Sequence, residues 1–290
     1  MMTHLYRRGN PAQPNPSNLP SHVQNRIDTT FSRLKAKGQA AFIPYVSAGD
    51  PTLTATRRLI LTLEENGADV VELGVPFSDP LADGIVNQKA AQRALAAGAT
   101  VRGVLDLVRD VRTESEIPIV LFTYLNPVYA YGFDLFQRDA AAAGVDGVLI
   151  LDLPPDEASQ NAELAEAGEI RHIRLIAPTT PADRVGEIAR QSEGFIYCVS
   201  REGVTGAQTA LSDSIGAQVQ AIGRATETPV AVGFGISTPE QAAEVAAAAD
   251  GVVVGSAIVR KIEEFGDSPR LTQEVADFVR PIAEAIKAAR

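Results

Sequence analysis

Ala68-Asp69-Val70-Val71-Glu72-Leu73-Gly74-Val75-Pro76-Phe77-Ser78-Asp79-Pro80-Leu81-Ala82-Asp83-Gly84 decides how the chain is read. Residues 68–71 are a largely apolar run with the character of a buried strand, yet a carboxylate, Glu72, sits near its end. Pro76, Pro80 and Gly84 then enforce a loop, which carries two more acids, Asp79 and Asp83. A charge at the mouth of an apolar strand is expensive unless it is paired or put to work. One fixed carboxylate facing another on a mobile loop suits acid–base chemistry.

Outward from this segment the same unit recurs. Apolar strand candidates lie at residues 41–46, 69–73, 119–123, 147–151, 173–176, 195–199, 230–232 and 252–254, eight in all. Alanine-rich amphipathic stretches fall between them, for example 88–97, 133–143 and 239–248. Strict strand–helix alternation predicts a parallel sheet covered by helices. Eight units without a central linker favour closure into a (β/α)8 TIM barrel over residues 25–290, the rival being an open doubly wound sheet. Helical spacing from Arg26 to Leu34, ended by Gly38, predicts an extra N-terminal helix ahead of the barrel. Residues 1–24, rich in proline and amide side chains, read as a mobile tail.

Composition narrows the partners. A net charge of −10 argues against nucleic acid or an anionic membrane. No run approaches the roughly 20 apolar residues of a spanning helix. Cys198 is the only cysteine, which rules out an intrachain disulfide and a thiolate metal cluster. The first 28 residues contain no apolar core of a secretory signal, so the cytoplasm is the expected location.

In a barrel, the chemistry belongs at the C-terminal ends of the strands. There the chain offers Gly49-Asp50-Pro51, the opening loop, Tyr124-Leu125-Asn126, Asp152-Leu153-Pro154 and Thr179-Thr180. The last three strands lead into Gly203-Val204-Thr205-Gly206, Gly233-Phe234-Gly235 and Gly255-Ser256. Small residues ahead of a helix let backbone N–H groups approach an anion, and barrels bind phosphate after strands 7 and 8. Gly206, Gly235, Gly255 and Ser256 are therefore a candidate phosphate cradle, although each glycine alone is equally at home in a tight turn. None of Lys35, Lys37, Lys89, Lys261 and Lys287 falls at a strand end, which leaves a Schiff-base aldolase without its nucleophile. His4 and His22 lie in the tail and His172 at a strand entry, so no histidine metal site is expected. What remains is carboxylates, Tyr197 and backbone donors. Val70 and Glu72 share a strand face, so Glu72 can point into the lumen while Val71 and Leu73 pack under helices. A working acid there and a glutamate neutralised by a neighbouring arginine are both open, as are site and core roles for Tyr197.

With these motifs in hand, the chain from residue 27 onward resembles the tryptophan synthase alpha chain family. The resemblance is carried by Phe42-Ile43-Pro44-Tyr45-Val46-Ser47-Ala48-Gly49-Asp50-Pro51, by residues 72–84, by Asp152-Leu153-Pro154-Pro155 and by Ser200-Arg201-Glu202-Gly203-Val204-Thr205-Gly206-Ala207, with the two final glycine motifs. It implies a lyase of tryptophan biosynthesis that cleaves indole-3-glycerol phosphate to indole and glyceraldehyde 3-phosphate without a cofactor or metal. On that pattern Glu72 and Asp83 are catalytic. Tyr197, Gly206, Phe234, Gly235, Gly255 and Ser256 bind substrate, and Asp79 and Thr205 serve loop communication. The expected partner is a pyridoxal-phosphate beta subunit in an α2β2 heterotetramer. Two other readings stand beside this one: a non-catalytic barrel that only activates such a partner, and another phosphate-binding barrel enzyme. The chain also departs from the pattern. Asn87 stands where an apolar residue is common, Tyr45 where phenylalanine is frequent, and Glu202 where a small residue is common.

Overall fold

The computed structural model describes residues 25–153, 170–199, 208–233 and 235–290. The expectation for the tail, residues 1–24, lies outside them. The elements run α1 (Arg26–Ala36), β1 (Ala41–Ser47), α2 (Leu53–Glu65), β2 (Val71–Gly74), α3 (Ile85–Ala96), α4 (Val101–Val111), β3 (Ile119–Thr123), α5 (Leu125–Tyr131), α6 (Phe133–Ala143), β4 (Gly147–Ile150), β5 (Arg171–His172) and β6 (Arg174–Ile176). They continue with α7 (Ala182–Arg190), β7 (Ile196–Val199), α8 (Gln208–Gly223), β8 (Val230–Gly233), α9 (Pro239–Ala248), β9 (Gly251–Val254), α10 (Ser256–Phe265) and α11 (Leu271–Ala288).

All paired strands are parallel, in the order β5-β4-β3-β2-β1-β9-β8-β7-β6. The two ends of this order are neighbours in the chain. β5 and β6 are one barrel strand interrupted at Ile173, whose N–H still donates to Val148 O at 3.0 Å. The lower part of that strand pairs with β4 and the upper part with β7. Tilted, staggered strands in a closed barrel explain why eight expected strands appear as nine segments. The fold is the expected (β/α)8 TIM barrel.

Alternation is less strict than the pattern suggested. Gly98, at φ +86°, ends α3, and Thr100 caps a second helix, α4, through Gly103 N. Gly132, at φ +94°, separates α5 from α6 in the same way. α3 begins at Ile85, three residues before the predicted start, because Gly84 already occupies the cap position.

The lumen is layered. At its floor, Ala41, Ile43, Val70, Val120, Leu149, Ile173, Phe195, Ala231 and Val253 pack against Ile27, Phe31 and Leu34 of α1. The extra N-terminal helix is thus the plug of the barrel. It is fixed by Asn25, whose side chain caps Ile27 N at 2.8 Å and donates to Asp146 O at 2.8 Å. The buried Asp146 carboxylate accepts from Arg112 (2.7 Å), Arg26 (3.1 Å) and Ile119 N (2.8 Å). Val71 and Leu73 belong to the outer core beneath the helices, as their parity required.

One layer higher the lumen holds two tyrosines, each opposite a glycine. A Cβ at Gly74 would lie 2.3 Å from the Tyr45 hydroxyl, and one at Gly233 would lie 2.5 Å from that of Tyr197. Both glycines are there to make room for a phenol. Gly74→Ala is expected to destabilise the protein by about 1–3 kcal/mol through overpacking. The loss should shrink in a Tyr45→Phe background, because the closest clash is with the hydroxyl. Urea midpoints of the two single variants and the double variant check this.

Candidate active site

At the C-terminal mouth of the barrel a cavity of 350 Å³ is lined by Tyr45, Glu72, Asn87, Phe122 and Tyr197 together with Gly235, Gly255, Ser256 and Arg260. Gly84, Ile85, Val86 and Val253 complete the wall. The strands supply Tyr45, Glu72, Phe122 and Tyr197 by period-two alternation along β1, β2, β3 and β7.

Glu72 is 1% exposed and its Oε1 has no hydrogen-bond partner. Across the sheet it faces Tyr45 on β1 and Val120 on β3. Among the described residues no arginine reaches it, and a glutamate neutralised from a neighbouring strand is not what they show. Burial alone pushes its carboxyl from the ordinary 4.5 to about 8. The hydroxyls of Tyr45 and Tyr197 are raised well above the usual phenol range, first by burial and then by the nearby charges of Asp83 and Glu72. Both acids therefore act on one small region of the lumen.

Asp83 is held by the residue that follows β3. The Tyr124 hydroxyl donates to Asp83 Oδ2 at 2.9 Å and accepts from Ala82 N at 3.1 Å. The Tyr124 ring lies 5.5 Å from that of Phe77, so this tyrosine fastens both flanks of the proline-bounded loop. Gln88 Nε2 donates to Asp83 O at 2.8 Å. Burial raises the Asp83 carboxyl, while hydrogen bonds from Tyr124 and Asn87 hold it down. Asn87 lines the cavity, and its Oδ1 is buried without a partner. The aromatic end of the cavity is thereby more polar than an apolar side chain would make it.

Three of the residues expected to cradle an anion, Gly235, Gly255 and Ser256, line the same cavity. Gly235 adopts φ +71°, a backbone state open to glycine, and Gly255 precedes the N-terminus of α10, where Ser256 is the first residue. Gly206, Phe234 and Thr205 lie outside the described residues. Asp79 is exposed and away from the cavity, with Ser78 Oγ donating to its Oδ2 at 2.7 Å. No cluster of metal-ligating side chains occurs among the described residues. Among them, too, no helix is long and apolar enough to cross a membrane.

The structure thus brings Glu72, Tyr197, Gly235, Gly255 and Ser256 around one cavity, with Asp83 at its rim. It adds Tyr45, Phe122, Tyr124 and Arg260. Parity would have found the first three, since Ile43 and Tyr45 alternate in one strand, and Val120, Phe122 and Tyr124 in another. Arg260 sits one turn inside a helix, where strand-end reading does not look.

Fold and site define a (β/α)8 barrel whose strand mouth opens on a cavity lined by a buried carboxyl and by the N-terminus of a helix. A family model described as the tryptophan synthase alpha chain matches residues 31–287. The tryptophan synthase alpha chain of Geobacter sulfurreducens is 52% identical over 262 residues, covering 90% of this chain and 99% of the relative. The crystal structure of tryptophan synthase subunit alpha from Legionella pneumophila superposes with a TM-score of 0.82 at 41% identity, over 90% of this chain and 98% of that one. A chain from the tryptophan synthase α2β2 complex of Pyrococcus furiosus matches with a TM-score of 0.78 at 39% identity, over 85% and 98%. The protein belongs to the tryptophan synthase alpha chain family.

The Glu72 carboxyl has a linked consequence for stability. Its pKa is raised in the folded protein, so folding favours the protonated form. That contribution is complete below the ordinary glutamate range and is lost as pH rises through about 8. Relative to Glu72→Gln, the wild type is expected to lose on the order of a few kcal/mol between about pH 5 and about pH 9, and to level off above. Urea denaturation of both proteins across that range measures the difference.

Proposed function

We propose that Glu72 and Asp83 divide the acid–base work of the alpha reaction, the lyase step that family membership assigns to this chain in tryptophan biosynthesis. Cleaving indole-3-glycerol phosphate requires a proton delivered to indole C3 and a proton taken from the adjacent glycerol hydroxyl. The carbon–carbon bond then breaks to give indole and glyceraldehyde 3-phosphate, with no net proton change. Glu72 carries both transfers. A carboxyl that titrates near 8 populates its acid and its base form around neutrality, which is the condition for serving each half in turn.

Asp83, held by Tyr124, accepts the indole N–H and stabilises the positive charge that develops on the protonated ring. The ring then acts as the electron sink that an imine or a metal supplies elsewhere. Tyr197 lines the reacting end, and Gly235, Gly255 and Ser256 anchor the phosphate, with Gly206 and Phe234 completing that end on the family pattern. The observation that carries this reading is a fully buried carboxyl with no counter-charge among the described residues, opening on a cavity that a helix N-terminus also lines. A subunit that merely activated a partner would have no use for that buried, unpaired carboxyl.

The natural partner in this account is a pyridoxal-phosphate beta subunit, in an α2β2 assembly like that of the Pyrococcus furiosus complex. Asp79, exposed on the same loop as Asp83, and Thr205 carry the communication between subunits. Glu72→Gln is expected to lower indole formation by at least about 10²-fold while leaving the circular dichroism spectrum unchanged. Near-normal turnover of that variant would refute the assignment. Asp79→Ala is expected to keep the basal rate of the isolated chain and to lose most of the stimulation that added beta subunit gives. A stimulation equal to that of the wild type would remove Asp79 from the coupling path.

A further inference from the structure

The cavity must receive a phosphate dianion in a protein of net charge −10, at a mouth that already holds Glu72 and Asp83. Backbone donors at a helix N-terminus supply only partial charges for that task. Among the described residues one cationic side chain lines the cavity, Arg260. It follows Ser256 by four positions on α10, so the two side chains lie on one face of that helix, one turn apart.

Arg260 makes no hydrogen bond or ion pair among the described residues, although carboxylates are plentiful on its own helix. Lys261, next in sequence, pairs with Glu264 at 2.9 Å, and Glu263 takes Arg93 at 2.9 Å. Arg93 in turn grips both oxygens of the buried Asp50, at 2.9 and 2.8 Å. The neighbouring charges are thus committed, Lys261 within α10 and Glu263 through Arg93 to α3 and the loop after β1, while the guanidinium of Arg260 is left at the cavity wall.

We propose that Arg260 is a phosphate-binding residue of this site, closing the cradle of Gly235, Gly255 and Ser256 with a full positive charge. The inference rests on the reading of the cavity given above. A guanidinium offers paired N–H donors that match phosphate oxygens, and its contact with the non-reacting end of the substrate is the same in ground and transition states. Its loss therefore weakens binding and leaves the chemical step alone.

The test is steady-state kinetics of the full-length chain with indole-3-glycerol phosphate, and calorimetric titration with inorganic phosphate, for the wild type, Arg260→Gln and Arg260→Lys. Arg260→Gln is expected to raise KM roughly tenfold with kcat within about twofold, to weaken inorganic phosphate binding by a similar factor, and to leave the affinity for indole, which has no phosphate, unchanged. Arg260→Lys should recover part of the loss. The proposal is overturned if Arg260→Gln keeps the wild-type KM and phosphate affinity, or if indole binding falls in step with phosphate binding. A wild-type chain that binds phosphate through Arg260 but does not cleave the substrate would leave this residue in place and remove the lyase mechanism instead.

Discussion

Everything at the barrel mouth depends on one constraint, a carboxyl buried in the lumen with no charge paired to it among the described residues. The chain shows that it can neutralise buried acids where it needs to. Asp146 has Arg112 and Arg26, Asp69 has Lys287, Arg33 and the backbone of Phe42, and Asp50 has a two-pronged Arg93. Asp146 and Asp69 lie at the floor of the barrel, where charges fasten α1 and α11 to the sheet. Glu72 lies at the mouth, and among the described residues no such partner meets it. A buried ion pair leaves a carboxylate ionised and inert, whereas a carboxyl governed by desolvation exchanges its proton near neutrality.

The surroundings of Glu72 follow from that choice. Tyrosines rather than arginines occupy its layer, and two glycines open space for them, so the lumen stays largely apolar yet carries hydroxyls. The second acid is placed differently. Asp83 sits on a proline-bounded loop and is positioned from another strand by Tyr124, which also holds the backbone at Ala82. A desolvated acid on rigid sheet and a tethered acid on a loop can then meet a substrate from two directions. The stable end of the barrel and the reactive end are separated by the full length of the strands.

Much of this was legible in the residues. The parity of Val70 and Glu72 turned one glutamate inward, and two of the strand-end glycines, Gly235 and Gly255, do line the same cavity. What could not be read was the absence of a partner for Glu72, because pairing depends on which strands become neighbours and which side chains reach across the lumen. The break at Ile173 escaped for a related reason, since a change of pairing partner inside one strand is a property of barrel closure and not of local pattern. Helices α4 and α5 add a second helix to the connections after β2 and β3, because Gly98 and Gly132 each divide a connection into two helical segments. Arg260 was missed because a helix brings a side chain back to the strand mouth one turn after the motif has ended.

The most direct measurement is the titration of Glu72 itself. Infrared difference spectra of wild type minus Glu72→Gln, recorded across pH, isolate the protonated-carboxyl band of this one side chain. The account requires a band that persists through neutrality and is lost with a midpoint near 8. A carboxyl already ionised in the ordinary glutamate range, near about 4.3, would contradict it.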